Sequence, residues 1–453
     1  MGLESARFHF VGIGGIGMCG LAELLKNLGA EVTGSDLSRN TQTQRLEALD
    51  ITIFHDHSEE NLGDVDVLVY SSAVKKDNPE VQAARKRKIP IIRRAEALSE
   101  LMRLKRGIAV AGTHGKTTTT SLAASSLISA KLDPTVIVGG RLGLFASTAK
   151  WGKGEWLIAE ADESDGSFDR LSPEIVILTN VDNDHLDHYG DLATLKQAFF
   201  NFASSIPFYG LAIVCGDDSN VRELMRDFPK RYITYGFSEN NDYVLAKGEA
   251  GYKVTYNSEL LGCFQSSIPG DHNALNSLAV IVLGRHLGLS FEECLPGLED
   301  FSGVDRRFQE KGAIKGTAFY DDYGHHPTEV KATLKGFKDH FKGKTIKVIF
   351  QPHRFSRTEL CWNEFLESFK DADRLFVTDI YPAGETPISG VNSENFVEAL
   401  SHPAAQYFDV SDEAAVQQFS KQLKPEDVVL TLGAGDIYKF GENLLKKLAK
   451  ESK

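Results

Sequence analysis

Cysteine is scarce in this chain and long hydrophobic runs are missing, and each shortage excludes a class of protein. The five cysteines among 453 residues are far apart and form no Cys-x-x-Cys pair, so neither a disulfide framework nor a structural zinc site is indicated. No apolar run reaches the roughly 18 residues that a transmembrane helix needs, and no signal-peptide pattern opens the sequence. We therefore expect a cytoplasmic protein that has no membrane partner.

Basic residues are also in the minority. The 50 Lys and Arg against 63 Asp and Glu give a formal charge of -13, which argues against nucleic acid as the main partner. Anionic small molecules stay open as ligands, because local loops can override the net charge. The length corresponds to about three domains of roughly 150 residues each. A monomer and a homodimer both remain open.

Short apolar strands alternate with helical segments along the whole chain. This alternation predicts an α/β protein with three domains in series. We expect a Rossmann-like domain over 1–105, a central P-loop ATPase-like domain with a mixed sheet over 106–306, and a second Rossmann-like domain over 307–453. In the central domain, the stretch from Tyr243 to Ile268 alternates like antiparallel strands, and Leu275 to Leu287 is predicted to be a helix.

The segment Gly112–Thr118 (GTHGKTT) joins an apolar strand to a helix. At such a turn, free backbone N–H groups and the helix dipole attract a polyphosphate. Lys116 is then expected near the outer phosphates and the Thr117 hydroxyl on magnesium. A glycine-rich turn without a ligand is the alternative, and Val110 stands where the general motif has its first glycine. The predicted phosphate loop consists of Gly112, Thr113, His114, Gly115, Lys116, Thr117 and Thr118.

A second glycine motif, G-x-G-x-x-G, lies between the first predicted strand and helix, and Asp36 ends the next strand. This pattern is typical of a pyrophosphate at a helix N-terminus, with an acid near a ribose hydroxyl. NAD or FAD and a UDP-sugar satisfy it equally well, and glycines that only pack the helix on the sheet are the alternative. The motif glycines are Gly12, Gly14, Gly15 and Gly17.

Two acidic segments follow strands of the central domain. In Glu160–Asp165 (EADESD), Glu160 is placed to share a magnesium ion with Thr117, although a solvated turn is the alternative. In Asn180–His188, oxygen donors surround His185, which favours magnesium or manganese over zinc. Three other acids are less favoured as ligands: Asp162, Glu163 and Asp165.

The third domain contains Asp321–Thr328 (DDYGHHPT) and Gln351–Arg357 (QPHRFSR). The second segment follows a strand, at the end where open α/β sheets bind ligands. Arg354 and Arg357 can clamp a carboxylate or phosphate through two hydrogen bonds, and pairing with surface acids is the alternative. Gly433–Asp436 is interpreted as a structural turn, and a contact of this turn with a ligand stays open.

These segments resemble the Mur ligases of peptidoglycan synthesis along essentially the whole chain. The resemblance implies an ATP-dependent ligase, and the family's own phosphate loop accounts for Val110. It rests on GTHGKTTTT at Gly112–Thr120, EADESD at Glu160–Asp165, GDHNALN at Gly270–Asn276 and RRF at Arg306–Phe308.

Three further segments, Gly12–Met18, Asp321–Glu329 and Phe350–Thr358, resemble family members that join L-alanine to the lactyl carboxylate of UDP-N-acetylmuramate. The resemblance implies an acyl-phosphate intermediate, ATP and Mg²⁺ as cofactors, and these two compounds as partners. The alternative is a muropeptide-recycling ligase that attaches a tripeptide to the same nucleotide sugar. The segment Phe350–Thr358 (FQPHRFSRT) favours L-alanine.

The resemblance also implies roles for single residues. Lys116 would contact the ATP phosphates, Thr117 and Glu160 would hold one magnesium ion, and His185 would help to hold a second. The UDP part would be held by the Gly12–Gly17 loop, Asp36, Ser71 and Ser72. The rest of ATP would contact His272, Asn273, Asn276, Arg307 and Asp322. The L-alanine carboxylate and the intermediate would be received by His353, Arg354 and Arg357. A base to deprotonate the ammonium group would be His325 or His326.

Two features depart from the family pattern. Asp182 stands where relatives often have Glu, which leaves its contact with a metal open. Phe199–Phe202 lacks the lysine that several Mur ligases carry in carbamylated form, so we expect no such modification.

Two rival functions stay open on the motifs alone. An NAD(P)-dependent oxidoreductase built on Gly12–Gly17 leaves Lys116 and Glu160 without a role. A P-loop regulator that binds ATP without ligation leaves the paired arginines unexplained.

Overall fold

Three sheets follow one another along the chain, which confirms the expected α/β fold with three domains in series. The structure is a computed structural model. It forms two compact units, the first made of Met1–Ser267 and Leu275–Ser302, the second of Ile268–Ala274 and Gly303–Lys453. The first two sheets belong to the first unit and the third sheet to the second. The boundaries given above for the three domains stay a prediction. The structure describes residues 2–71, 73–142, 147–164, 166–249 and 251–451.

The first domain is a parallel sheet with the strand order β3-β2-β1-β4-β5. Because the order in which strands are added to the sheet reverses between β1 and β4, the glycine motif after β1 lies at the switch point where such sheets bind ligands. The strands are β1 Arg7–Val11, β2 Glu31–Ser35, β3 Thr52–Phe54, β4 Val67–Tyr70 and β5 Ile91–Arg93. The helices are α1 Ile16–Leu28, α2 Thr41–Glu47, α3 Pro79–Lys86 and α4 Arg94–Met102.

The central domain contains a sheet in the order β15-β14-β13-β12-β11-β10-β6-β9-β7-β8. Strands β13 to β15 pair antiparallel, as the alternation predicts, and β8 is antiparallel to β7. The strands are β6 Arg106–Ala111, β7 Thr135–Leu142, β8 Ser147–Lys150, β9 Trp156–Glu160, β10 Ile175–Leu178, β11 Leu211–Cys215, β12 Tyr232–Gly236, β13 Tyr243–Gly248, β14 Gly251–Tyr256 and β15 Glu259–Phe264. The helices are α5 Lys116–Ser129, α6 Leu186–Tyr189, α7 Leu192–Ser204, α8 Ser219–Leu224, α9 Asp271–His286, α10 Phe291–Cys294 and α11 Pro296–Glu299.

The first two domains pack against each other through α1 and β8. Thr148 on β8 lies so close to α1 that a Cβ added to Gly20 would be 3.0 Å from its Oγ1. The hydroxyl of Ser147 donates a hydrogen bond of 2.8 Å to Glu23 on the same helix. The helix that follows the first glycine motif is therefore fixed to the edge of the central sheet.

The third domain has the strand order β16-β17-β21-β18-β19-β20, parallel except for β16. The strands are β16 Gln309–Ile314, β17 Thr317–Asp322, β18 Thr345–Phe350, β19 Arg374–Val377, β20 Ala405–Tyr407 and β21 Asp427–Leu432. The helices are α12 Pro327–His340, α13 Phe355–Leu360, α14 Trp362–Leu366, α15 Ser393–Ala399, α16 Glu413–Lys421 and α17 Ile437–Glu451. Within the described ranges, no helix combines the length and apolar character needed to cross a bilayer.

Aromatic packing fills the segment that lacks the family's lysine. Phe199 and Phe202 on α7 are fully buried, and their ring centroids lie 5.4 and 4.8 Å from that of Phe168. We expect Phe199→Ala to destabilise the central domain by about 3–5 kcal/mol, because it removes a buried ring and leaves a cavity. Urea unfolding followed by tryptophan fluorescence measures this change.

The matched control is Phe208→Ala, since that ring is 87% exposed. Its effect is expected to stay within about 0.5 kcal/mol. Equal destabilisation by the two substitutions would contradict the packing described here.

Candidate active site

The phosphate loop turns sharply between β6, which ends at Ala111, and α5, which begins at Lys116. Gly112 has a φ of 130° and Gly115 one of 83°, a region that favours glycine. A Cβ on Gly112 would also overlap the side chain of Thr179. The loop therefore needs both glycines, and it presents the N–H groups of the first turn of α5 at one point.

Lys116 is curled over its own loop. Its Nζ donates to the carbonyl oxygens of Gly112 at 2.6 Å and Thr113 at 3.0 Å, and to Glu163 Oε1 at 2.8 Å. Burial lowers the pKa of Lys116, but the neighbouring carboxylates outweigh it and raise that pKa above its ordinary value. The ammonium group is therefore charged and lies against the carbonyl oxygens of the phosphate loop.

Glu163 is the acid that contacts Lys116, although the sequence ranks it behind Glu160. Its side chain is fully buried, and burial raises its pKa to about 7 in spite of the nearby ammonium group. Among the described residues, no hydrogen-bond donor reaches Glu163 Oε2. Nothing in the spacing of EADESD singles out this carboxylate, because the loop conformation decides which of its acids points inward.

Glu160 and Thr117 meet as the sequence predicts. The Thr117 hydroxyl donates to Glu160 Oε2 at 3.2 Å, and the backbone N–H of Gly139 donates to Oε1 at 2.8 Å. Burial raises the pKa of Glu160. The two side chains offer hard oxygen ligands side by side, a donor set that suits magnesium.

His185 joins this cluster from the loop that follows β10. Its Nε2 lies 3.7 Å from Glu163 Oε1 and 3.7 Å from Asp184 Oδ2, and the Tyr189 hydroxyl donates to the Glu163 carbonyl at 2.7 Å. The loops after β6, β9 and β10 thus converge at one edge of the central sheet. Asp165, the last acid of EADESD, lies outside the described residues.

Asp182, the departure from the family pattern, holds the phosphate loop in this structure. Its Oδ2 is 3.0 Å from His114 Nε2, and its backbone N–H donates to the Thr113 hydroxyl at 2.9 Å.

Thr118 is buried in the first turn of α5. On α9, the side chain of Asn276 is buried beside the loop, where a Cβ on Gly115 would lie 3.0 Å from its Oδ1.

The glycine motif of the first domain is tied to Asp36. The N–H of Gly14 donates to Asp36 Oδ2 at 2.9 Å, while Oδ1 accepts bonds from the backbone and hydroxyl of Ser38. The Ser71 N–H donates to the Val11 carbonyl at 3.1 Å, which places Ser71 beside the motif. Ser72 lies outside the described residues. Of the other motif glycines, Gly12 has a positive φ, Gly15 precedes α1 and Gly17 is in its first turn.

Arg94, at the start of α4, was missed by the sequence analysis. Its guanidinium group lies 3.6 Å from Asp162, the second acid of EADESD. Burial opposes the charge of Asp162, yet Lys116 and Arg94 hold its pKa below the usual range. Arg94 therefore connects the first domain to the acidic loop of the central domain.

In the second unit, His353, Arg354 and Arg357 lie together after β18. His353 Nδ1 is 3.2 Å from the Arg357 guanidinium group, and its ring stacks on Tyr381 with 5.5 Å between centroids and 7° between planes. Burial, with the charges of both arginines, lowers the pKa of His353 to about 4. His353 is therefore neutral near pH 7, and the two arginines supply the positive charge for an anion.

The side chain of Asp322, which the resemblance assigns to the ATP ribose, is buried. Its carboxylate accepts hydrogen bonds from the Phe308 N–H at 2.8 Å, the Gly324 N–H at 2.9 Å and the Thr333 hydroxyl at 3.2 Å. Since a carboxylate has about four acceptor positions, three internal bonds leave room for one further donor. Its role toward ATP stays a prediction.

The remaining predicted residues of this unit lie near Glu329 and at the start of α9. Arg307 Nη1 is 3.5 Å from Glu329 Oε1, and His325 Nδ1 is 3.2 Å from Glu329 Oε2. His272 is enclosed, and burial lowers its pKa. The amide of Asn273 donates to the Pro269 carbonyl at 2.8 Å. His326 instead caps α12, where its side chain accepts a bond from the Thr328 N–H.

Comparison with known proteins agrees with this geometry. Residues 7–106 match the Mur ligase family, catalytic domain. Residues 110–284 match the Mur ligase middle domain, and residues 306–435 match the Mur ligase, glutamate ligase domain. Together the three matches account for most of the chain.

Individual relatives are similar over their full length. A UDP-N-acetylmuramate–L-alanine ligase of Bdellovibrio bacteriovorus is 53% identical over 99% of this chain and 100% of its own. The crystal structure of a UDP-N-acetylmuramate–alanine ligase from Thermotoga maritima has a TM-score of 0.82 at 31% identity, covering 99% of this chain and 100% of that one. A murein peptide ligase of Psychrobacter arcticus shares the fold, with a TM-score of 0.73 at 24% identity over 98% and 99% of the two chains. The chain belongs to the Mur ligase family.

Proposed function

We propose that this chain joins L-alanine to the lactyl carboxylate of UDP-N-acetylmuramate, with ATP converted to ADP and phosphate, in peptidoglycan precursor synthesis. The observation that carries the proposal is the cluster of Lys116, Thr117, Glu160, Glu163 and His185 at one edge of the central sheet. The full-length likeness to ligases of this type supports the choice of substrates. The muropeptide-recycling reaction is not favoured, because the murein peptide ligase of Psychrobacter arcticus is less similar in sequence and structure than the L-alanine ligases.

The first step activates the carboxylate. A carboxylate oxygen attacks the γ-phosphorus of ATP, the bond to the β-phosphate oxygen breaks, and an acyl phosphate forms. Lys116 exchanges its contacts with the loop carbonyls for the phosphate oxygens. Its charge then stabilises the transferred group, the effect that contributes most in this class of reaction.

The residues present fit a magnesium ion. Glu160 and Thr117 supply hard oxygen donors, and buried Glu163, beside Lys116 and His185, keeps one carboxylate oxygen without a hydrogen-bond donor among the described residues. Mg²⁺ would be held by Thr117 and Glu160, with a second ion near His185, and when bound it neutralises charge on the phosphoryl oxygens.

The second step uses the third domain. Arg354 and Arg357 receive the carboxylate of L-alanine, while neutral His353 adds a hydrogen-bonding group without a competing charge. The amine attacks the acyl carbonyl and phosphate leaves with its electron pair. Arg307 assists by charge at the phosphate.

Of the two candidate bases, we assign the proton transfer to His325. Its Nδ1 faces two acceptors, the Tyr323 carbonyl at 3.1 Å and Glu329 at 3.2 Å. The proton therefore resides on Nδ1, and Nε2 is the acceptor that a base needs. His326 is engaged as the cap of α12.

We further propose that the reaction takes place in the cytoplasm. The five cysteines, all within the described residues, form no disulfide, and four of them are buried. This is the usage of a reducing compartment. Three further statements remain predictions: the protein has no nucleic-acid partner, it is a monomer or homodimer, and UDP binds at Gly12–Gly17.

Product analysis tests the proposal. ATP, UDP-N-acetylmuramate and either L-alanine or the tripeptide are incubated with the enzyme, and the nucleotide products are identified by mass spectrometry. We expect the L-alanyl amide and ADP, with no tripeptide adduct. A tripeptide adduct in place of the alanyl product would contradict the proposal in favour of the recycling reaction.

Lys116→Ala provides the site-specific arm of that experiment. We expect at least a hundredfold lower kcat, because one preorganised charge on the developing oxyanion is lost. The matched control is Lys153→Ala, an exposed lysine of the same domain, which should turn over like the wild type. Unchanged turnover in Lys116→Ala would remove the phosphate loop from the mechanism.

The low pKa of His353 predicts a pH-dependent stability. Folded His353 is neutral down to about pH 4, whereas the unfolded residue takes up a proton near pH 6.5. Unfolding therefore binds a proton between these values, and stability falls as the pH drops through this window. The melting temperature of the wild type should fall more than that of His353→Gln between pH 7 and 4. Equal decreases in the melting temperatures of the wild type and His353→Gln would contradict the conclusion that folded His353 is neutral.

A further inference from the structure

The loop of residues 379–391 connects β19 to α15 in the third domain. It carries the sequence DIYPAGETPISGV. Most of its side chains are exposed, from Pro382 to Gly384 and again at Thr386 and Pro387. Two half-buried residues, Tyr381 and Glu385, attach the loop to the segment of His353 and Arg354 and to helix α13. We call this segment the 379–391 loop.

Tyr381 is fixed to the segment that carries His353. Its N–H donates to the Pro352 carbonyl at 2.8 Å, and its own carbonyl accepts the Arg354 N–H at 2.8 Å. His353 and Tyr381 thus pair as a short parallel bridge, and their rings stack 5.5 Å apart and nearly coplanar. The tyrosine therefore sets the position of the His353 ring from one face.

Tyr381 also lies against the turn Gly433–Asp436. A Cβ on Gly435 would lie 2.8 Å from Tyr381 Cγ, closer than real side chains approach. Gln351 holds this turn, since its side chain accepts the Ile437 N–H at 3.1 Å and donates to Asp436 at 3.2 Å. Tyr381 therefore contacts both His353 and the turn.

Glu385 holds the helix that carries Arg357. Its carboxylate accepts the Ser356 N–H at 3.0 Å and the Ser356 hydroxyl at 2.6 Å, in the first turn of α13. Negative charge at that end of a helix is favourable. Arg354, just before the helix, has a φ of 72°, a conformation that non-glycine residues rarely adopt and that needs support from its surroundings.

We infer that the 379–391 loop positions the amino-acid site: Tyr381 orients His353, and Glu385 holds Arg354 and Arg357 in the geometry that receives the substrate carboxylate. The inference rests on the proposed function. Neither residue needs to touch the substrate, so both are positioning residues. They act on amino-acid binding and leave the phosphate loop and the first glycine motif unchanged, since those belong to the first unit.

Steady-state kinetics with each substrate varied in turn tests this inference. Tyr381→Leu removes the stacked ring, and we expect the KM for L-alanine to rise roughly tenfold, the upper range for one aromatic pair. The KM values for ATP and UDP-N-acetylmuramate should change less than about twofold, within the usual effect of a surface substitution. Tyr381→Phe keeps the ring and should restore the wild-type KM.

Glu385→Gln keeps the shape of the side chain and removes its charge, so it tests the second contact if Tyr381→Leu fails to fold. We expect the same selective rise in the KM for L-alanine, smaller than for Tyr381→Leu. Thr386→Ala, an exposed neighbour in the same loop, is the matched control and should behave as the wild type. Melting temperatures of all variants establish that the folded protein is compared.

The outcomes separate this inference from the proposed function. A selective rise in the KM for L-alanine that Tyr381→Phe reverses supports the loop assignment. Wild-type turnover together with unchanged KM values in Tyr381→Leu and Glu385→Gln would overturn it alone, as would an equal rise for all three substrates. A wild-type enzyme that makes no product with L-alanine would overturn the proposed function and this inference together.

Discussion

The buried ion pair between Lys116 and Glu163 is the interaction on which the rest of the site depends. A buried ammonium group requires an opposite charge close by, because the loss of solvation is otherwise prohibitive. Glu163 accepts a hydrogen bond from the ammonium group at 2.8 Å, Asp162 and Glu160 add negative charge nearby, and Tyr189 in the loop after β10 supports Glu163. Three loops are thereby held in register around the point where a terminal phosphate would lie.

The sheet architecture is what brings these loops together. In a parallel sheet, the carboxyl ends of neighbouring strands meet at one edge, and β9, β6 and β10 are neighbours in the central sheet. The same rule places Asp36 beside the first glycine motif and His353 beside the turn after β21. Each domain thus gathers polar side chains at the edge where its apolar strands end, which is where open α/β sheets bind ligands.

The sequence predicted what is periodic or glycine-dependent. Strands β13 to β15 pair antiparallel within the predicted stretch from Tyr243 to Ile268, and the phosphate loop turns where GTHGKTT stands. The predicted helix starts at Leu275, whereas α9 begins at Asp271. The first turn of this helix is mostly polar, so a hydrophobic pattern does not include it. The sequence analysis ranked Glu163 too low and missed Arg94, Tyr381 and Glu385, since these act through contacts made by irregular loops.

Transfer of labelled oxygen tests the central claim most directly. UDP-N-acetylmuramate carrying ¹⁸O in both oxygens of its lactyl carboxylate is converted with ATP and L-alanine, and the inorganic phosphate is examined by mass spectrometry. If Lys116 and its partners direct a carboxylate oxygen onto the γ-phosphorus, the released phosphate carries one labelled oxygen for each amide formed. Phosphate free of label, with amide formed at the normal rate, would contradict the account.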